Sequence, residues 1–448
     1  MTLPSQLHRR LPRLVPLVAL CLPFPGLAGA PDGHWRGELE FRGDSMAVEL
    51  RIGPGPGGPS VLLDIPSLLM AREPVPAQPS ASGLSVELPF GLGPISFAPD
   101  GDRAAGRKPL GDDELEWAFE RSPPPALRFE DVGFHSGGAR LAGTLVVPEG
   151  PGPHPAVVLV HGSAAGTRAR WAYRSWADFF AGLGVAALAY DRRGEGASGG
   201  EANASLDTLA DDAAAAVAWL RARPDVDAGR VGLKGGSQGA WIAEAAAARA
   251  GNVDFLVLTS APAGTPREQH LQQLAYGMRA DGRPEDEVQD ALAYAGLYFY
   301  VARTGRGWKT LEDEVARARA APWGEYVDQP RSPEDLRWWS ENHDFQTMPV
   351  LARLHMPVLL LYGADDWIVP PVENAALLKS RFGSPALVSV RVFDRADHRL
   401  EVPAGTDSSG RWRWPRVAEG VIPAIAGWLD AAIDAGTAPG EAAAPPID

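Results

Sequence analysis

The chain has 448 residues, of which 45% are hydrophobic and 22% are charged, and its formal net charge is −14. These fractions are those of a soluble globular protein, and the length exceeds what one ordinary hydrophobic core organises, so we expect two or more folded units. The strong negative charge argues against nucleic acid and against an anionic membrane surface as partners.

The first 30 residues have the pattern of a signal peptide. A positively charged start, ending at Arg13, precedes an apolar stretch over 14–24 that is too short to span a bilayer. Small residues follow, and we place the cleavage site after Ala28. We therefore predict that 1–30 is a signal peptide and that the protein is exported to the bacterial envelope, periplasmic or secreted, without stable membrane insertion. An uncleaved membrane anchor is the alternative.

The single cysteine, Cys21, lies inside this leading segment. Lipid attachment at Cys21 is a further alternative, although Leu20 is an unfavourable neighbour for it. The mature chain would contain no cysteine, so it would have no disulfide and no thiol nucleophile.

Residues 31–124 are predicted to form a small β-rich domain. The segments 34–41, 45–52 and 84–90 alternate apolar and polar side chains, as half-buried strands do. The run of glycine and proline over 53–59 is typical of a turn or loop. The simplest role for this domain is structural support.

The pattern changes after three consecutive prolines at 123–125. Two strands, 127–134 and 140–147, are predicted to form an antiparallel edge, and strands then alternate with helices. The predicted strands are 156–160, 185–190, 231–233, 255–259, 358–362 and 388–393, and the predicted helices are 170–183, 206–222, 240–250 and 417–433. This alternation predicts an α/β fold with a mainly parallel sheet and helices on both faces.

Residues 264–350 interrupt the alternation. They carry helical periodicity and many aromatic side chains, so we predict a helical cap inserted in a larger domain over 125–434. Most of these aromatic side chains are expected to pack within the cap, and a few to line an apolar pocket. The final segment, 435–448, is rich in alanine, proline and glycine, which is typical of a disordered tail.

The strongest chemical motif is Gly235-Gly236-Ser237-Gln238-Gly239, which lies between the predicted strand 231–233 and the predicted helix 240–250. In a strand–turn–helix setting this G-x-S-x-G pattern is a nucleophile elbow, where glycines make room for a sharp turn that exposes the serine hydroxyl. A second match at 196–200 follows a charged loop and leads into no immediate helix. The context therefore selects Ser237.

A serine nucleophile requires a base, and the base requires an orienting carboxylate. In a parallel-sheet hydrolase the acid and then the histidine follow the serine, each after a later strand. His398 follows the last predicted strand and is the one histidine C-terminal to Asp366, so we predict that it is the base. Asp365 and Asp366 both follow the strand 358–362, and spacing does not separate them. Asp397 is a rival acid by proximity in sequence.

Two N–H groups are needed to bind an oxyanion. The residue after the nucleophile, Gln238, is expected to supply one from its backbone. The second is expected from the loop after the strand 156–160, where we favour the N–H of Ser163. His161 precedes the serine in the chain, so we predict that it shapes this loop rather than acting as the base.

Five motifs in this order resemble the α/β-hydrolase superfamily over residues 125–434. They are His161-Gly-Ser163, the segment 190–198, the elbow 235–239, the segment 363–370 and Ala396-Asp-His398. The resemblance implies that Asp366 is the orienting acid, with Asp365 as the alternative. The chain is similar in particular to exported bacterial carboxylesterases that carry a small β domain ahead of the catalytic domain. It departs from them at Ala164-Ala165, where a Gly-Pro-type loop is common.

We therefore predict a serine hydrolase that cleaves a small-molecule carboxylic ester through an acyl-enzyme, using Ser237, His398 and Asp366 without a metal or a cofactor. The alternatives are a peptidase or acyl-peptide hydrolase on the same fold, a thioesterase, and a noncatalytic binding protein. The predicted β domain is too short for the propeller that such peptidases usually carry. The complete set of three residues argues against a noncatalytic protein, and the sequence indicates no particular oligomeric state.

Overall fold

The computed structural model describes residues 31–164 and 166–435. The predicted signal peptide, 1–30, lies outside the described residues, and so does the predicted tail apart from Ala435. Among the helices of the described ranges, none is long and apolar enough to cross a membrane.

The N-terminal part of the described chain is all β. Its strands are β1 (Gly33–Phe41), β2 (Asp44–Gly55), β3 (Gly58–Ile65), β4 (Met70–Val75), β5 (Ala77–Ser80), β6 (Gly83–Leu88), β7 (Gly93–Phe97), β8 (Arg103–Leu110) and β9 (Asp113–Ser122). One antiparallel sheet has the order β4-β3-β2-β1-β9-β8, and β5-β6-β7 form another. Trp35 and Phe119 of the first sheet pack against Phe97 of the second, with ring centroids 5.1 and 5.4 Å apart. The two sheets therefore share one core.

The prediction of a turn or loop over 53–59 was wrong at both ends. Strand β2 continues to Gly55 and β3 begins at Gly58, so Pro54 and Pro59 are paired across the ladder. The pairing of β2 with β1 ends at Ile52. Pro54 and Pro59 therefore lie where the β2–β3 hairpin extends beyond the end of β1. Proline has no N–H group, and at this point that loss removes no hydrogen bond to β1.

An eight-stranded sheet follows in the described chain. Its strands are β10 (Arg128–Ser136), β11 (Ala139–Val147), β12 (His154–Val160), β13 (Ala186–Tyr190), β14 (Val226–Gly236), β15 (Leu256–Thr259), β16 (Val358–Gly363) and β17 (Val388–Phe393). Their order is β10-β11-β13-β12-β14-β15-β16-β17. Both pairings of β11 are antiparallel and the others are parallel. The predicted antiparallel edge and mainly parallel sheet are confirmed.

Helices cover both faces of this sheet. Those of the described chain are α1 (Trp171–Gly182), α2 (Leu206–Arg221), α3 (Gln238–Ala250), α4 (Pro266–Ala280), α5 (Glu285–Thr304), α6 (Trp308–Ala320), α7 (Arg337–Asn342), α8 (Met348–Leu351), α9 (Pro371–Arg381) and α10 (Val421–Ala435). Helices α2, α3 and α9 share a core with one face, and α1 and α10 with the other. The buried strands read as continuous apolar runs for this reason. The α/β fold class is confirmed.

Helices α4 to α8 lie between β15 and β16, where the sequence predicted a helical insertion. Aromatic side chains of α5, including Tyr294, Tyr298 and Phe299, are buried in a core with Trp323. This agrees with the expectation that most aromatic residues of the segment pack against one another.

Four short strands were not predicted. They are β18 (Glu401–Val402), β19 (Gly405–Thr406), β20 (Trp412–Arg413) and β21 (Arg416–Val417). Trp414, between the last two, is 4% exposed and belongs to the N-terminal β core. Its backbone N–H donates to the Asp44 carboxylate and its indole N–H to the Asp44 carbonyl, both over 2.9 Å. This segment therefore joins the N-terminal sheets to the α/β part, and the predicted boundary at 124 stays a prediction.

Candidate active site

Ser237 lies at the turn between β14 and α3, at the carboxyl edge of the parallel strands. Its backbone has φ 54° and ψ −127°, a conformation that a non-glycine residue rarely adopts. Its N–H donates to the Thr259 carbonyl over 2.9 Å, which ties the turn to the neighbouring strand β15. The predicted strand–turn–helix setting of the motif is thus present.

The glycines around Ser237 are required by close backbone contacts. A β-carbon on Gly235 would lie 2.2 Å from the Gly239 carbonyl oxygen. A β-carbon on Gly239 would lie 2.8 Å from the carbonyl oxygens of Val160 and His161. The helix can therefore begin directly behind the serine only while these positions lack side chains.

We expect Gly235→Ala to lower the free energy of unfolding by about 3 kcal/mol, because the added methyl group must displace backbone. Gly296→Ala is the matched control. Gly296 lies within α5, and a β-carbon there meets nothing within 4 Å. Alanine should therefore stabilise that helix by about 0.5–1 kcal/mol. Urea denaturation of both variants measures the difference, and equal stability of Gly235→Ala and the unaltered protein would contradict the steric account.

His398 and Asp366 are brought together by the ends of two adjacent strands, β17 and β16. The Nδ1 atom of His398 lies 2.9 Å from Oδ2 and 3.0 Å from Oδ1 of Asp366. The Asp366 carboxylate has no exposed surface and also accepts the N–H groups of Ile368 and Val369. Because an ionised carboxylate only accepts, Nδ1 carries the proton and Nε2 is left as the basic nitrogen.

The other two aspartates considered from the sequence are placed differently. Asp365 is exposed. Asp397 uses Oδ1 to accept the N–H groups of Arg399 and Glu401, so it holds its own loop. Of the three carboxylates, Asp366 is the one bonded to His398, and its catalytic role stays a prediction.

His161 shapes the loop after β12. It is buried, its Nε2 lies 2.7 Å from the Tyr190 carbonyl oxygen, and its ring packs edge-on against Tyr173 and Tyr190. Burial, helped by the Arg192 guanidinium, lowers the pKa of His161 to about 3. A neutral imidazole therefore donates to that carbonyl at neutral pH. The position agrees with the structural role that the sequence suggested.

The same loop carries the predicted oxyanion donor Ser163. Arg192 holds the loop by donating to the carbonyl oxygens of Gly162 and Ala164. The N–H of Gly162 is occupied, because it donates to Tyr173 Oη over 3.2 Å. Ser163 and Gln238 both line the cavity that contains Ser237. Their oxyanion-binding role stays a prediction.

A cavity of about 480 Å³ lies at the elbow and is lined by both Ser237 and His398. The helical insertion also lines it, through Trp338 and Trp339 of α7. The same insertion adds polar side chains of α4 that sequence reasoning did not single out: Gln269, His270 and Gln273. Gln273 follows Gln269 by four residues and His270 by three, so the three side chains lie on one side of α4. Such spacing is ordinary for a helix and does not predict a pocket.

The ionisable side chains that line this cavity are either cationic or neutral. Arg192, His270 and His398 are the ionisable residues on its described wall, which contains no aspartate or glutamate. Burial lowers the pKa of His270, so its imidazole is neutral at pH 7. Across residues 31–164 and 166–435, no three His, Cys, Asp or Glu side chains cluster where they could hold a metal ion.

The eight-stranded sheet, the elbow and the His–Asp pair define the class of α/β hydrolases. Residues 137–381, more than half of the 448 residues, match the family model of the X-Pro dipeptidyl-peptidase (S15) family. The chain belongs to that family. The superfamily resemblance drawn from the five motifs is confirmed.

Individual relatives are more distant. The chain is 26% identical over 296 residues to Esterase EstD of Thermotoga maritima, covering 64% of this chain and 65% of that relative. It thus spans slightly less than two thirds of the curated relative it matches. An esterase of Pyrococcus furiosus is 22% identical with a TM-score of 0.43, covering 61% of this chain and 84% of that one. An α/β hydrolase of Penicillium is 20% identical with a TM-score of 0.44, covering 69% and 99%.

Proposed function

We propose that the protein is a serine hydrolase that cleaves carboxylic esters, with Ser237 as nucleophile, His398 as base and Asp366 as the orienting acid. One observation carries the proposal. The Nδ1 of His398 is held 2.9 Å from a fully buried Asp366 carboxylate, on the wall of a cavity that also exposes the Ser237 elbow.

The proposed chemistry has two halves. The Ser237 hydroxyl attacks the ester carbonyl while its proton moves to Nε2 of His398. The tetrahedral oxyanion collapses, the alkoxide leaves with the proton from His398, and the acyl group remains on Ser237. Water then attacks this acyl-enzyme with His398 again as base. Asp366 stays ionised throughout and stabilises the imidazolium that forms in each half.

The cavity favours an ester over a dipeptide substrate. The family's description names an X-Pro dipeptidyl-peptidase. A dipeptide released from a peptide's N-terminus carries the α-amino group, which is largely an ammonium at neutral pH. Burying an ammonium without a carboxylate partner costs several kcal/mol. The described wall of the cavity offers no carboxylate for such a group and presents Arg192 instead. An uncharged ester avoids this cost, and the relative from Thermotoga maritima is named an esterase.

Active-site labelling with a fluorophosphonate tests the proposal. We expect one adduct on Ser237, located by peptide mass, and turnover of p-nitrophenyl esters from acetate upward. An X-Pro p-nitroanilide, assayed in parallel, should be hydrolysed far more slowly. Faster turnover of the anilide would move the assignment to a peptidase. Folded protein that forms no adduct and turns over neither substrate would refute the hydrolase assignment.

A further inference from the structure

A buried lysine lies beside the nucleophile and has no role in the chemistry described above. Lys234 is on β14, three residues before Ser237, and is only 8% exposed. Its ammonium lies 3.4 Å from Thr259 Oγ1 and 4.5 Å from the centroid of the Trp176 ring. No ion pair of Lys234 occurs in the part of the chain that the structure describes. Its three donors are therefore left with one long hydrogen bond and one aromatic face.

An isolated buried ammonium is costly, because desolvation of a cation is offset only by a good partner. Burial lowers the pKa of Lys234 to about 8. At pH 7 the side chain is still mostly protonated, so a cation is kept in the interior without a described anion. A cation–π contact recovers about 2 kcal/mol when desolvated, which is less than the cost of burying the charge.

Lys234 lines a second cavity, which we call the inner cavity. It has a volume of about 200 Å³, is lined by Lys234, Trp176, Thr259 and Leu69, and also touches Ser237 and His398. Ser237 and His398 thus line both the inner cavity and the larger cavity. A β-carbon on Gly236 would come within 3.3 Å of the Lys234 ammonium, so this glycine keeps the space before the nucleophile open.

Counted together with Lys234, the ionisable side chains that line the inner cavity include more cations than carboxylates. Arg170, Tyr173, His398, Arg399 and Glu401 line it besides Lys234. Glu401 is the sole carboxylate on the described wall, and it already accepts a hydrogen bond from Arg399. Tyr173 Oη accepts the Gly162 N–H, and burial raises the pKa of Tyr173, so this phenol stays neutral. The wall thus provides a cation for an anionic ligand group.

We propose that the inner cavity is a carboxylate subsite, in which the Lys234 ammonium binds a second, free carboxylate of the ester substrate. The inference rests on the proposed esterase function and names its substrate class. The inner cavity has about 200 Å³ of space against about 480 Å³ in the larger cavity, so it suits a short chain that ends in a carboxylate. The substrates are then monoesters of short dicarboxylic acids, or esters of short hydroxy acids.

Two pairs of esters test the subsite on the unaltered protein. Monoethyl glutarate and ethyl valerate differ by a carboxylate in place of a methyl group on the acyl side, and 4-acetoxybutanoate and butyl acetate differ in the same way on the alcohol side. We expect kcat/KM to be about 10- to 100-fold higher for the anionic member of one pair, the size of a hydrogen bond to a charged group. The pair that shows the preference identifies which side of the ester enters the inner cavity.

The lysine itself is tested by Lys234→Met, with Lys379→Met as the matched control. Lys379 is exposed on α9 and lines neither cavity. We expect Lys234→Met to reduce the ratio of the two kcat/KM values to near one, and Lys379→Met to leave it unchanged. If Lys234 has a purely structural role, Lys234→Met would lower kcat/KM for both esters by the same factor and leave their ratio unchanged. That result would overturn the proposal.

The pH dependence gives a test that needs no variant. The preference for the anionic ester should hold at pH 7 and decline as the pH rises through about 8, where the free lysine loses its proton. Hydrolysis of the neutral esters without any anionic preference at pH 7 would refute the subsite and leave the esterase assignment standing. Failure of the esterase assignment is a separate result, with no hydrolysis of any ester and no adduct on Ser237.

Discussion

Ser237→Ala is expected to lower kcat/KM for a p-nitrophenyl ester by about 10⁴-fold or more, because the proposed acyl-enzyme forms on the Ser237 hydroxyl. Any remaining turnover would come from binding and from the oxyanion donors, with water attacking directly. The substitution removes only the hydroxyl, and the backbone turn is held by the bond from the Ser237 N–H to the Thr259 carbonyl. The loss should therefore appear in the rate without a comparable loss of stability.

Steady-state kinetics together with thermal unfolding measure both parts of this prediction. Ser380→Ala is the control, since Ser380 is exposed on α9 and its hydroxyl donates to the Leu377 carbonyl. It should retain the rate of the unaltered protein. The labelling adduct should disappear in Ser237→Ala and persist in Ser380→Ala. A folded Ser237→Ala protein with near-normal turnover would place the nucleophile elsewhere.

Asp366→Asn is expected to lower kcat by about 10⁴-fold, whereas Asp365→Asn should change it less than about threefold. An asparagine at 366 can keep the bonds from the Ile368 and Val369 N–H groups through its Oδ1. Its amide can also donate to Nδ1 of His398, which favours the tautomer with a protonated Nε2. That tautomer cannot accept the Ser237 proton.

The pair Asp365 and Asp366 makes this a matched comparison of neighbouring residues with the same change in charge. Asp365 is exposed, whereas the Asp366 side chain is fully buried against His398. Kinetics of both variants, with circular dichroism to confirm folding, give the answer. Equal losses in the two variants would show that the local charge matters and that the His398–Asp366 bond does not.

Much of the fold could be predicted because its signals are local. Strands β12 and β16 are continuous apolar runs. Helices α2 and α3 are alanine-rich segments. Both signals can be read from consecutive residues. The elbow at Ser237 could be found for the same reason, since a strand, two glycines and a helix are adjacent in the chain. By contrast, β18 to β21 are only two residues long and carry no readable period.

The attachment of the N-terminal sheets could not be predicted either. It depends on Trp414 and Asp44, which are 370 residues apart in the chain. A tryptophan in a loop and an aspartate at a strand end have no sequence pattern that pairs them. Likewise, the cap tryptophans Trp338 and Trp339 reach the cavity while Tyr294 and Tyr298 stay in the cap core, and composition does not distinguish these two pairs.

The sequence by itself determined the α/β class and the elbow around Ser237, and it predicted His398 as the base, because these follow from local periodicity and from order along the chain. Only the tertiary structure placed Asp366 rather than Asp365 or Asp397 against His398. Only it showed that Lys234, which lines a cavity together with Ser237, has no charged partner among residues 31–164 and 166–435. Residue spacing does not encode these facts. The direction of a loop side chain, and the groups that surround a buried cation, depend on where distant segments pack.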